Sequence, residues 1–240
     1  MLIEVVTLFP EVIEAFTGYS ILRRACDTGL VKFKIHPLRS FGKGRHLQVD
    51  DYRFGGGPGM LLMPEPLFAI MESILTNSPE RPLVIVPSAQ GKPFRQDEAK
   101  RLSQENHLIF ICGHYKGIDQ RVIDRFSDVE YSVGDYVLSG GELAAAVIID
   151  ATIRLIPGVL GDWDSARGDS FYQPSLDAPH YTRPEVVAQL KVPEVLLSGN
   201  HRNIFAWRQA MSSLLTRKRR PDLERDLGDK IFSVQKTTSL

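Results

Sequence analysis

The chain has 240 residues, 43% hydrophobic and 24% charged, and its 29 basic and 29 acidic side chains cancel to zero net charge. That composition suits a globular protein of one large or two small domains. No apolar run reaches membrane-spanning length, and the first residues lack the basic start and small-residue cleavage site of a signal peptide. The two cysteines, Cys26 and Cys112, lie too far apart for a metal spacing and read as reduced, buried thiols of a cytosolic protein. The charge is uneven, because residues 176–240 hold 11 Lys and Arg against 7 Asp and Glu, leaving 18 against 22 for residues 1–175. Four cations run together at Arg217-Lys218-Arg219-Arg220, which fits either a local polyanion contact or a solvated helix end.

In chain order, residues 2–8 form an apolar strand stopped by Pro10. Apolar side chains at helical spacing (Val12, Ile13, Phe16, Ile21, Leu22) predict a helix over 11–26, with Gly29 as its stop. The alternation VKFKIH predicts a half-exposed strand over 30–37. Residues 39–60 are a polar loop with six glycines, four Arg or Lys and the pair Asp50-Asp51. A segment this long without a period is usually functional or mobile. Its run Gly55-Gly56-Gly57-Pro58-Gly59 suits a backbone pressed against a flat ligand or another subunit, or else a flexible linker. Residues 63–75 read as a helix, LVIVP (83–87) as a buried strand, 93–104 as an amphipathic helix and HLIFIC (107–112) as a second buried strand. A helix over 118–126 and a third strand over 129–133 follow. Ser139 is the expected N-cap of a buried, Ala-rich helix running from Glu142 to Asp150, with Glu142 as its capping-box partner.

Apolar strands between helices imply a parallel α/β sheet. Ligands of such sheets bind at the carboxyl ends of the strands. The loops 86–91, 113–117 and 132–141, each bearing glycine, are therefore expected to meet at one pocket. Neither GxGxxG nor GxxxxGK[ST] is present, which argues against a dinucleotide fold or a P-loop. Residues 161–175 are polar and aperiodic and read as a linker. The remainder reads as helical, interrupted at Pro193 and Gly199, with a basic edge.

Five stretches, GGGPGM (55–60), SVGDYVLSGGEL (132–143), IPGVLG (156–161), HYTRPEV (180–186) and VPEVLLSGNH (192–201), resemble in order and spacing one family, the bacterial tRNA (guanine-N1)-methyltransferases called TrmD, of the SPOUT superfamily. The resemblance covers nearly the whole chain. It implies an S-adenosyl-L-methionine-binding domain over 1–160 with a deep trefoil knot, a rare exception to unthreaded topology. It further implies an interdomain linker over 161–175 and a small all-helical tRNA-binding domain over 176–240. The family consists of cytoplasmic homodimers, with no membrane association and with the active site at the subunit interface. They transfer a methyl group from S-adenosyl-L-methionine to N1 of guanosine 37 of tRNA, beside the anticodon and preceded by a guanosine.

That chemistry asks for particular groups. Guanine N1 carries a proton at neutral pH, so a general base must remove it. Negative charge then spreads to O6, where a cation stabilises it. The positions matching the family's base and cation are Asp169, in RGDSF, and Arg154; without the resemblance they would read as a solvated loop carboxylate and a surface helix charge. For the cofactor the resemblance points to Pro87, Ser88 and Gly91 in the first loop and to Gly113, Tyr115 and Gly117 in the second. In the third it points to Ser132, Val133, Gly134, Tyr136, Leu138, Gly140 and Gly141. For RNA it points to Arg45, His46, Asp50, Arg53 and Gly59. The basic cluster at 217–220 adds a phosphate contact that salt would weaken.

Two positions depart from the pattern. Where the family commonly reads GRYEGID, this chain has Gly113-His114-Tyr115-Lys116-Gly117-Ile118-Asp119, so a lysine replaces the glutamate linked to magnesium and to the methionine end of the cofactor. A cation at Lys116 would repel both a metal and the sulfonium, so a magnesium ion would need another carboxylate such as Asp135 in its place; no metal ligand is assigned. Ala144 replaces a common proline. Two rivals follow from the same residues: a related methyltransferase acting on another RNA, and an inactive RNA-binding relative, which only Lys116 favours.

Overall fold

The computed structural model of the protein describes residues 1–161 and 168–223. The expected linker positions 162–167 and the end of the expected helical domain, 224–240, lie outside the described residues. The chain divides into two compact units, Met1–Gly161 and Asp162–Leu240.

In the first unit, five parallel strands make one sheet in the order β2-β1-β6-β5-β7. They are β1 (Leu2–Thr7), β2 (Lys32–Pro37), β5 (Leu83–Pro93), β6 (His107–Ile111) and β7 (Val129–Ser132). The apolar strands are covered on both faces, as continuous apolar runs require. Successive side chains of β6 point to opposite sides, so Leu108 and Phe110 join one core and Ile109 and Ile111 the other. On the first face lie α1 (Pro10–Thr17), α2 (Ser20–Asp27), α4 (Gln96–Leu102) and α6 (Gly141–Ile153). On the second lie α3 (Pro64–Thr76) and α5 (Gln120–Phe126). A short antiparallel pair, β3 (Asp50–Tyr52) and β4 (Met60–Leu62), organises the polar loop. Ile148, Ile149 and Ile153 of α6 are fully buried, each contributing roughly 1.5–3 kcal/mol relative to exposure.

Several local expectations need correction. The helix over 11–26 is two helices, α1 and α2, because Gly18 ends the first and Tyr19 is extended. The helix over 93–104 begins only at Gln96, since β5 runs on to Pro93 through an irregularity in its pairing with β7 between Pro87 and Lys92. The capping box at Ser139 does not form. Gly140 is the N-cap of α6 and no side chain caps it. The Glu142 carboxylate instead accepts a 2.7 Å bond from Thr7 Oγ1 in the buried core.

The second unit is not helical throughout. Strands β8 (Val186–Val187) and β9 (Leu190–Lys191) form a small antiparallel ribbon. Its turn residues Ala188 and Gln189 have positive φ. Pro184 disfavours helix before it, and the β-branched pair Val186-Val187 suits a strand. Two helices follow, α7 (Glu194–Leu197) and α8 (His201–Arg219). The Asn200 side chain caps α8 by accepting from the Asn203 N–H, and its C-terminal turn carries Arg217, Lys218 and Arg219, which suit the negative end of the helix dipole. Leu176 is tied to α8 at both ends: its N–H donates to Thr216 Oγ1 and its carbonyl accepts from Ser212 Oγ.

Candidate functional site

The expected loop 86–91 is the irregular part of β5, and together with the loops 113–117 and 132–141 beyond β6 and β7 it lines a cavity of about 310 Å³. Backbone bonds stitch them together. The Gly141 N–H donates to the Gly113 carbonyl at 2.8 Å, His114 and Gly140 form an antiparallel bridge, and the Phe94 N–H donates to Ser132 O at 2.8 Å. The start of α6 rests directly on the end of β6, since a Cβ on Gly141 would lie 2.8 Å from Gly113 N and 2.9 Å from Cys112 Cα. Only glycine permits that approach.

Of the residues predicted to meet the cofactor, Pro87, Ser88, Gly113, Tyr115, Gly117, Ser132, Val133, Gly134, Tyr136, Leu138, Gly140 and Gly141 line the cavity. Gly91 does not. A Cβ there would lie 2.5 Å from the backbone of Glu130 and Tyr131, so this glycine allows β5 to run against β7. Gly134 has φ +150°, and the Tyr136 ring lies over the space its side chain would fill. The Tyr136 hydroxyl donates to Val133 O. Leu138 and Tyr136 keep apolar surface exposed beside the cavity.

Gln90, His114 and Val137 line it too, within the expected loops but not singled out, as does Lys116, noted above for its charge; Glu130, on β7, was missed. The buried His114 Nδ1 has no hydrogen-bond partner among the described residues, and its ring packs on Phe9 and Tyr115. A polar ring directly after an apolar strand was the available signal. Below the cavity floor, burial and then the charge of Glu142 push the Cys112 thiol well above its usual range, so Cys112 is a core residue and no nucleophile at neutral pH.

The polar loop is more ordered than its composition suggests. Arg53 Nε donates to Gly56 O at 2.8 Å and its guanidinium lies against Gly57. Gly55, Gly56, Gly57 and Gly59 all have positive φ, a path that side-chain-bearing residues rarely follow. Asp50 is on β3, half-buried; Arg45 and His46 are exposed beyond it. Tyr52 and Phe54 flank Arg53 with 81% and 99% of their surface exposed.

The catalytic candidates lie in different units. Arg154 is the half-buried C-cap of α6 in the first unit. Asp169 is exposed in the second, where its carbonyl accepts from the Tyr172 N–H at 3.2 Å. The second unit has its own cavity of about 600 Å³, lined by residues that include His180, Tyr181, Arg183, Ile204 and Arg208.

A parallel α/β unit with a loop-walled cavity at the carboxyl edge of its sheet is the build of a small-molecule-binding α/β enzyme. Comparison with known proteins makes the class specific. The chain matches over residues 1–226 the family described as tRNA (Guanine-1)-methyltransferase TrmD, and it belongs to that family. It is 48% identical to a tRNA (guanine-N(1)-)-methyltransferase of Dehalococcoides mccartyi strain BAV1, over 99% of both chains. It is 49% identical to the protein of that name from Alkaliphilus oremlandii, over 98% of both. With the protein of that name from Moorella thermoacetica it shares 49% identity, over 93% of this chain and 90% of the other.

Proposed function

We propose that this protein transfers a methyl group from S-adenosyl-L-methionine to N1 of guanosine 37 in tRNA, where a guanosine precedes it. The observation that supports this most is the convergence of three glycine-bearing loops on one cavity, in a chain whose full-length relatives are named as tRNA (guanine-N(1)-)-methyltransferases.

The cavity suits the donor. Its volume of about 310 Å³ is at the lower end for small-molecule sites. Its lining offers apolar surface at Leu138 and Tyr136 and open backbone at Gly117, where a Cβ would meet nothing within 4 Å. When bound, S-adenosyl-L-methionine supplies an electrophilic methyl group on a sulfonium. The chain's own work is then proton removal and charge stabilisation. In this reading the Asp169 carboxylate takes the proton from guanine N1, which frees its lone pair for attack. The Arg154 guanidinium stabilises the charge that spreads to O6. Asp169 lies in the stretch expected to order over the target when tRNA binds, which would exclude water from the reaction.

Arg45, His46, Asp50, Arg53 and Gly59 are read as the RNA-facing part of the polar loop. The exposed rings of Tyr52 and Phe54 beside Arg53 offer stacking surfaces for bases. The second unit, with the basic end of α8, is read as the tRNA-binding domain.

A homodimer with its active site at the subunit interface fits an exposed apolar face. Leu143 and Val147, one helical turn apart, project exposed from α6. Exposed apolar patches of this kind mark interaction surfaces. The knot expected of the family, and the cytoplasm as place of action, belong to the same reading.

Magnesium does not fit the site as this sequence builds it. The position linked to the metal carries Lys116, an ammonium with donors only, so no step is routed through a metal.

The test is methyl transfer to tRNA transcripts with guanosine or adenosine at position 37. The reading expects transfer to the first alone. Equal labelling of both, or preference for ribosomal RNA, would favour a methyltransferase acting elsewhere.

A further inference from the structure

Lys116 is the one lysine or arginine among the described residues that line the donor cavity; the only carboxylate there is Glu130. Its backbone is fixed by a bond from the Lys116 N–H to Met60 O at 3.0 Å, and the flanking turn is tied to β4 through Leu62 N to Gly117 O and Asp119 N to Leu62 O. Its side chain is exposed and runs along the glycine-rich loop. It crosses the face of Gly59, where a Cβ would stand 2.7 Å from Lys116 Cγ and 3.3 Å from Cε. Gly59, at φ +88°, thus leaves a channel that the lysine stem fills. Two other exposed lysines of the unit are paired, Lys43 with Glu65 and Lys92 with Glu98. The Lys116 ammonium has no ion-pair partner among the described residues. A lysine whose stem lies along a neighbouring backbone, with its charged head unpaired, gives up less entropy on binding than one that stands in open solvent.

A positioned, unpaired cation at the rim of a ligand cavity calls for an anion. We infer that Lys116 is an oxyanion anchor, gripping a carboxylate or phosphate oxygen of the bound reactants where the family pattern would place a negative charge. Two sources supply that chemistry: the α-carboxylate of the methyl donor and a phosphate of the RNA. The inference rests on the methyl-transfer reading for the identity of these ligands, and not for the position or pairing of the lysine.

The test compares the whole protein with Lys116→Met, which keeps a stem over Gly59 without the charge, and with Lys116→Arg, which keeps the charge. Calorimetry measures binding of S-adenosylhomocysteine and of 5′-methylthioadenosine, which lacks the amino-acid end; tRNA affinity is measured across a salt series. If the carboxylate is the partner, Lys116→Met weakens S-adenosylhomocysteine about tenfold, leaves 5′-methylthioadenosine unchanged, and Lys116→Arg restores most of the loss. If a phosphate is the partner, both nucleosides bind as before, and tRNA affinity falls with a salt slope reduced by about one ion. Unchanged affinity for all three ligands overturns the inference. Equal weakening of both nucleosides also overturns it, because the loss then lies in the shape of the pocket. If the unmodified protein binds neither nucleoside, the donor reading has failed, and the tRNA series alone decides the role of Lys116.

Discussion

Asp169, the proposed base, and the residues that line the proposed donor cavity belong to different units of the chain, so the two roles can be tested separately by mutation. Asp169→Ala should lower the single-turnover rate by about 10²–10⁴-fold, the usual effect of a lost general base, with S-adenosylhomocysteine affinity unchanged. Near-normal turnover would remove Asp169 from the mechanism. A second residue-scale prediction concerns stability. Asp119 is the N-cap of α5, accepting from the Arg121 N–H at 3.0 Å and from its guanidinium at 2.8 Å through each carboxylate oxygen. The Arg121 side chain chiefly holds the Asp119 carboxyl below its usual range. A carboxyl depressed by folding contributes its full stability above its unfolded pKa of about 4 and loses it as pH falls through the lower folded value. Asp119→Ala should therefore cost about 1 kcal/mol in urea unfolding at pH 7, and the gap to the unmodified protein should close in that acidic window. A gap independent of pH would mean that the charge plays no part. At this scale the sequence alone was weakest. The motif pointed to Asp169 and Arg154 but could not show what Glu142 does. Its spacing from Ser139 suits a capping box, whereas a longer-range bond from Thr7 captured the carboxylate.

Among the elements, apolar runs located the sheet because strands buried on both faces leave a dense signal, as HLIFI does for β6. Periodicity could not reveal that β5 continues beyond its apolar core, because residues 88–93 carry turn-forming types and are held by pairing with β7. Gly91 makes that pairing possible. Gly91→Ala would push a Cβ into the backbone of Glu130 and Tyr131 and should destabilise the protein by about 1–3 kcal/mol. Gly161→Ala, with nothing within 4 Å of the new carbon, should stay within about 0.5 kcal/mol. Thermal unfolding of the pair checks this, and equal stability would mean that β5 and β7 part easily. The ribbon of β8 and β9 was missed for a similar reason. Its four strand residues are too few for a period-two pattern, and the helical spacing of the residues after it masked it.

For the molecule as a whole, composition gave a globular chain and motif order gave the family, while assembly is left to surfaces. The exposed Leu143 and Val147 on α6 predict that Leu143→Asp combined with Val147→Asp will shift a dimer to monomers in sedimentation analysis. A double variant that sediments as the unmodified protein does would rule out this face as the dimer contact. The central claim, that loops 86–91, 113–117 and 132–141 together hold the methyl donor, is tested most directly by amide hydrogen exchange with and without S-adenosyl-L-methionine. The account predicts that exchange slows in all three loops together at saturating donor. Protection confined to one loop, or appearing instead around the second unit's cavity near residues 180–208, would contradict it.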